Sequence, residues 1–332
     1  MVNIRLIYKQ LETAKGHLLS ESLLGFRLAL ILLDNVAELL MYGELRRQFA
    51  FDDELWPQEG PAHTEWLRAG FGPKYSLEER QAAEREFEPK TRILCVRLGR
   101  ISNDDRAILK VCHKLRCEAF HGGRLRRSLL GQSAKLLFLT TVNLTFKLPI
   151  RSFRLPESRP APDDAEFLER FGITDPFFLG ADEGRRFLAN QLLDGITFDE
   201  SKFAESLSYD LVERIDETLG RLEYLAESTS DIDRNLQYTQ FWRDRGAALA
   251  ESGVREPALE NAFLTWRSEG RAKFTLYKID RWRQQAEAIG RCGVPAKTLD
   301  HYWAIERKFR PLEDDIAEAV FRYDEEINSQ IH

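Results

Sequence analysis

Apolar residues recur three and four positions apart along almost the whole of this 332-residue chain, and period-two alternation bounded by turn residues is nearly absent. That spacing lays a stripe along one face of a helix and cannot line one face of a strand, so an all-α protein is expected. In the first part, helices are expected over about residues 3–19, 20–50, 76–101, 104–121 and 125–147. Further on, helical patterns cover about 182–228, 232–251, 256–290 and 296–328, with breaks at Gly195, Gly253 and the Gly293–Pro295 turn. Ser76 opens the text S-L-E-E, a capping box. Asn103 or Asp104 is the expected cap of the 104–121 helix, and Gly122-Gly123 its stop.

Residues 149–163, PIRSFRLPESRPAPD, hold four prolines in fifteen positions, a density that no helix accommodates. A domain boundary is expected there, separating a helical domain over 1–148 from a second helical bundle over 164–332 whose role the sequence does not reveal. A hydrophobic share of 43% with 31% charged residues belongs to a chain that folds rather than stays disordered. The start of the sequence has no apolar signal core. The most apolar stretch, Leu23–Met41, is interrupted by Arg27, Asp34 and Glu38, and Leu136–Phe146 falls short of the roughly 20 residues a spanning helix needs, so no membrane span is expected. The four cysteines, Cys95, Cys112, Cys117 and Cys292, form no CxxC pair and no zinc-spaced cluster with histidine. No metal, cofactor or disulfide framework is expected, and a reducing cytoplasm is the simplest setting.

Charge is unevenly spread. The net charge is −6, yet residues 90–154 hold fifteen Lys or Arg against three acids. A positive field inside an acidic protein suits a phosphate-bearing partner, and a solvated helix face is the plainer alternative. Within this region the segment KVCHKLRCEAFHGGRLRR, residues 110–127, places Arg116 before His121 with four residues between them, at the expected end of a helix, followed by Gly122. The spacing alone is common, and Arg106 with His113 repeats it with six intervening residues. The context is less common. The wording around Arg116 and His121, together with the upstream text RLALILLDNVAELLMYGEL at 27–45, resembles the HEPN superfamily of helical proteins over about residues 1–148. In that family the residue after the motif arginine is usually polar, often Asn; here it is Cys117.

The resemblance implies an endoribonuclease that works without a metal, as a homodimer whose two motifs line one cleft. It also implies a place among toxins held by an antitoxin or among antiviral-defence effectors. Arg116 and His121 are then the catalytic pair. A histidine suits proton transfer near neutral pH, and a guanidinium forks two hydrogen bonds onto a phosphorane. Lys110, Lys114, Arg124, Arg126 and Arg127 are candidate RNA contacts. Asp34 and Glu38, on a narrow polar line with Arg27 along an otherwise apolar helix, are candidates to orient Arg116 or His121, with Glu118 as a further support. Each feature also has a plainer account. His121 fits a dipole-complementing helix terminus, Arg116 an ion pair with Glu118, and Asp34 and Glu38 a solvent edge. On a regular helix Arg116 and His121 point about 140° apart, so a second copy of the helix is the natural source of the missing half.

The rival to a ribonuclease is a catalytically silent module of the same build that binds nucleic acid or an acidic protein. GFGPK at 70–74 lacks P-loop spacing, GxSxG and HExxH do not occur, and Asp231-Ile-Asp233 is too sparse for a calcium loop. The aromatic lines around Trp242, Trp266, Trp282 and Trp303 have helical spacing and read as core before they read as a base-stacking platform.

Overall fold

The computed structural model describes residues 4–55, 73–121, 127–148, 166, 169–173, 182–226, 231–251 and 258–331, and every regular element among them is helical. The chain divides into two compact units, Met1–Asp199 and Glu200–His332.

The first unit contains α1 (Ile4–Leu19), α2 (Leu23–Leu55), α3 (Leu77–Arg85), α4 (Phe87–Arg92), α5 (Asn103–His121), α6 (Arg127–Lys147) and α7 (Asp182–Leu193). α2 is its axis, in contact with α1, α4, α5 and α6. Phe26, Ala29, Leu30, Leu33, Val36, Ala37 and Leu40 are all buried, so this helix is apolar nearly all round because other helices surround it. Each buried leucine contributes on the order of 2 kcal/mol. α6 comes close enough to α2 that a Cβ at Gly131 would stand 2.8 Å from the Phe26 ring, so the absent side chain is what admits the contact.

Three local features differ from the sequence expectation. The 76–101 helix opens on the Ser76 capping box as expected, but it breaks at Glu86, which is extended at φ −114°. Pro89 explains the break: it has no N–H for the carbonyl of Arg85, and its ring would crowd that carbonyl. After α4 the backbone widens into a π-helical turn, Ile93–Arg97. α5 is capped by Ser102 rather than by Asn103 or Asp104. The Asp105 N–H donates to Ser102 Oγ at 3.0 Å, and the Asp105 carboxylate accepts from the Ser102 N–H at 2.8 Å. Finally, α7, which follows the proline-rich stretch in sequence, packs on α1 and α6, and the two compact units meet in sequence at Asp199/Glu200. A proline-rich stretch says that a helix stops; it does not say which core the next helix joins. Residues 149–163 themselves lie outside the described residues.

The second unit holds α8 (Glu200–Ala226), α9 (Ile232–Glu251), α10 (Ala258–Ser268), α11 (Leu276–Ile289) and α12 (Pro295–Ile331). Gly195, at φ +76°, ends the preceding turn where a break was expected. The pattern at 256–290 is two helices rather than one, because Gly270 takes φ +67° after α10 and Thr275 caps α11 with a bond from the Lys278 N–H. α8 packs on α9, α11 and α12. Phe241, Phe263 and Trp266 form one buried cluster, and Trp282 lies edge-on to Phe274 and Phe309, so these aromatics are core. No helix among the described residues is long and apolar enough to cross a membrane.

A buried guanidinium ties α8 to α12. Arg214, 5% exposed, donates through Nε to Glu313 at 2.9 Å and through Nη2 to the same carboxylate, with Glu306 at 3.7 Å and Asp210 at 4.0 Å. Asp210 in turn accepts from the Tyr302 hydroxyl at 2.6 Å. Burial disfavours the charge on Arg214, but the Glu313 bond and the neighbouring acids outweigh it and hold the guanidinium above its ordinary range. Removing it strands several buried acids. Arg214→Ala is expected to cost on the order of 3–5 kcal/mol in urea denaturation, against under about 1 kcal/mol for breaking a surface pair such as Arg283–Asp216.

Candidate functional site

α5 carries the motif, and it is fixed at its start, its middle and its end. At the start, burial alone would push the Asp105 carboxyl up, but Lys147 at 2.5 Å and the N–H and hydroxyl of Ser102 outweigh it and hold Asp105 below the usual carboxylate range. Burial of Glu88 on α4 is likewise outweighed, by Lys110 and Arg106. Because these folded-state values are depressed, their contribution is complete above the unfolded value near pH 4 and is lost as pH falls through the lower folded value. Asp105→Asn is therefore expected to lower stability at pH 7 by on the order of 1 kcal/mol. It should also flatten the acid-induced loss below about pH 4, read by urea midpoints across pH.

The middle and end of α5 are held by the polar line of α2, which is not a solvent edge. Asp34 is 2% exposed. Its two carboxylate oxygens each lie 3.0 Å from Nδ1 of His113, and its Oδ2 lies 3.6 Å from Nε of Arg116. Two turns earlier on α2, Arg27 donates from Nη2 to the Ala119 carbonyl, satisfying one of the unpaired acceptors at the C-terminal end of α5. One turn later, Glu38 pairs with Lys90 of α4 at 3.1 Å. The seam runs antiparallel: residues 27, 34 and 38 of α2 meet residues 119, 113/116 and 90.

Arg116 is held at one edge only. Its Nε is buried toward Asp34, beyond hydrogen-bond reach, while 33% of the side chain is exposed and Nη1 donates weakly to the Cys117 sulfur at 3.8 Å. The Cys117 sulfur thus lies beside the guanidinium where the resembling family usually has a polar residue. Cys112 one turn earlier is fully buried, and burial with the nearby Asp34 charge pushes its thiol up, so it is no nucleophile. The His121 backbone is the last residue of α5, but its side chain, like that of Arg127, lies outside the described residues, as do Arg124 and Arg126 entirely. Glu118 is half-buried and Lys114 exposed on α5, and Lys110 pairs with Glu88 at 2.9 Å.

Much of the basic surplus is answered by acids distant in sequence. Lys90, Arg97 and Arg100 pair with Glu38, Glu79 and Glu44; Arg106 and Lys110 share Glu88; Lys147 meets Asp105. The positive field expected of residues 90–154 is therefore reduced on the α3–α4 side, because the acids of α2, α3 and α4 fold against it. Among the described residues no group of His, Cys, Asp and Glu could hold a metal ion.

The residue that sequence spacing left as a coincidence is His113. Its ring stacks on Phe87 of α4, centroids 4.0 Å apart at 12°, with Asp34 behind Nδ1 and a quarter of the side chain in solvent. Only the fold reveals this: Asp34 is 79 positions away. Comparison with known proteins returns no match, whether to a protein-family model, to a curated protein or to a solved structure.

Because Asp34 is buried between two donors, Asp34→Ala is expected to cost about 3 kcal/mol, while Arg116→Ala costs under about 1 kcal/mol. Parallel urea denaturations check the ordering. An equal cost would mean that the seam does not depend on the carboxylate.

Proposed function

We propose that this protein is a metal-independent endoribonuclease of the HEPN type, acting through Arg116 and His121. The observation that carries the assignment is the placement of Arg116: a buried carboxylate faces one edge of its guanidinium while part of the side chain reaches solvent on the motif helix. A guanidinium held this way is preorganised for a phosphate, since ordering it costs little at the moment of binding. A helix ending at His121, and the Arg27 bond to Ala119 that fixes that end, further support a site at the C-terminal end of α5.

The chemistry requires the ribose 2′-OH to attack its own phosphorus. The 2′-oxygen–phosphorus bond forms, the phosphorus–5′-oxygen bond breaks, and the products are a 2′,3′-cyclic phosphate and a 5′-hydroxyl. One group accepts the 2′-OH proton, another donates a proton to the leaving 5′-oxygen, and Arg116 neutralises charge on the phosphorane. RNA is then the substrate and DNA, lacking the nucleophile, is inert. The helix geometry favours a homodimer that sets two copies of α5 about one cleft, and a restraining partner such as an antitoxin or defence component belongs to the same proposal, as does a cytoplasmic setting.

One observation favours a second reading, a non-catalytic binding module: the intramolecular pairing of Lys90, Arg106 and Lys110 removes cationic groups that would otherwise meet RNA. The two readings separate in one assay. Purified protein in EDTA should cleave bulk tRNA to cyclic-phosphate ends and spare DNA, and Arg116→Ala and His121→Ala should each lose on the order of 100-fold or more in rate while remaining folded. Equal inertness of all three proteins supports the binding module.

A further inference from the structure

Transesterification needs two proton transfers, and a single arginine and histidine supply one proton-transfer group. The described residues contain a second imidazole at the place where one is needed. His113 precedes Arg116 by three residues, so on a regular helix the two side chains diverge by about 60° and start about 4.5 Å apart along the axis. His121 is about 140° from Arg116 and about 12 Å along the axis from His113. One phosphate can touch Arg116 and His113 of the same helix, whereas His121 reaches that phosphate most simply from a second copy.

The surroundings of His113 are those of an oriented base. Nδ1 lies 3.0 Å from both oxygens of the buried Asp34 carboxylate, which fixes that nitrogen as the N–H donor and leaves the lone pair on Nε2. Stacking on Phe87 sets the ring plane, and Nε2 has no hydrogen-bond partner among the described residues. Asp34 thus serves as a positioning residue for two groups at once: it aligns the imidazole through a hydrogen bond and faces the guanidinium as a counter-charge.

Resting on the ribonuclease assignment, we propose that His113 is a second catalytic residue, the general base that accepts the 2′-OH proton at Nε2 while Arg116 holds the phosphate and His121 of a second copy protonates the leaving 5′-oxygen. Proton count is conserved: His113 gains the proton that the 2′-oxygen loses, His121 gives one to the 5′-oxygen, and water returns both to their starting states.

The test measures steady-state cleavage of a labelled single-stranded RNA by the full chain and by His113→Ala, His113→Asn, Arg116→Ala and His121→Ala. Melting temperatures are recorded for each. His113→Asn keeps an N–H for Asp34 but cannot carry a proton, so it is the folded control for His113→Ala. Both His113 variants should lose on the order of 100-fold in kcat with little change in KM. Added imidazole should restore part of the loss in His113→Ala, as it would not for a structural defect. An active wild type, inactive Arg116→Ala and His121→Ala, and undiminished His113→Asn would overturn the role of His113 alone. So would a loss in folded His113→Ala that imidazole leaves unchanged. An inert wild type would overturn the ribonuclease assignment and the role of His113 with it.

Discussion

A carboxylate buried in the middle of an apolar helix is the constraint around which the first unit is arranged. Asp34 would cost several kcal/mol if left unpaired, so α5 must lie where its donors reach Asp34. On α5, His113 bonds the carboxylate and Arg116 faces it as a counter-charge, and that pairing fixes the register of α5 along α2. A slip of one turn, about 5.4 Å, would strand the charge. It would also part Arg27 from the Ala119 carbonyl. The same contacts that stabilise the packing therefore aim the motif. On the proposed function, stability and activity would share one residue, and the polar line on α2 looks out of place in its sequence for that reason.

Glu44 and Asp52 extend this logic along α2. Glu44 is buried and meets Arg47 and Arg100, and Asp52 is buried beneath the N–H groups of Lys74 and Tyr75 and the guanidinium of Arg80. Each acid recruits a different segment of chain to the axis helix. In the second unit Arg214 plays the corresponding part with the sign reversed, a cation holding the acids of α8 and α12. Both units thus combine an apolar core with a small number of buried ionic contacts that specify which helix faces which.

What the sequence made legible follows from what is local. Periodicity gave α1, α2, α5, α6 and α12 nearly end to end, and the Ser76 capping box needed only four residues to recognise. Pro89 was equally local and explains why the 76–101 helix breaks. Contacts between distant residues were not legible. His113 looked like a chance repeat of motif spacing because its meaning lies in Asp34 and Phe87, neither of them a neighbour in sequence. The basic surplus of residues 90–154 looked like an open binding field because the acids that answer it come mostly from α2, α3 and α4. The narrow polar line on α2 was the single sequence signal that pointed at the seam, where Asp34 meets His113 and Arg116 and Glu38 meets Lys90.

The central claim is that the face of α5 organised by Asp34 receives the scissile phosphate of RNA. A crystal structure of the protein with a dinucleotide whose 2′-oxygen is methylated, and so cannot attack, tests it most directly. The account predicts phosphate oxygens about 3 Å from the Arg116 guanidinium and the methylated 2′-oxygen turned toward the His113 ring. A dinucleotide seated away from α5, or Arg116 and His113 untouched at saturating ligand, would contradict it.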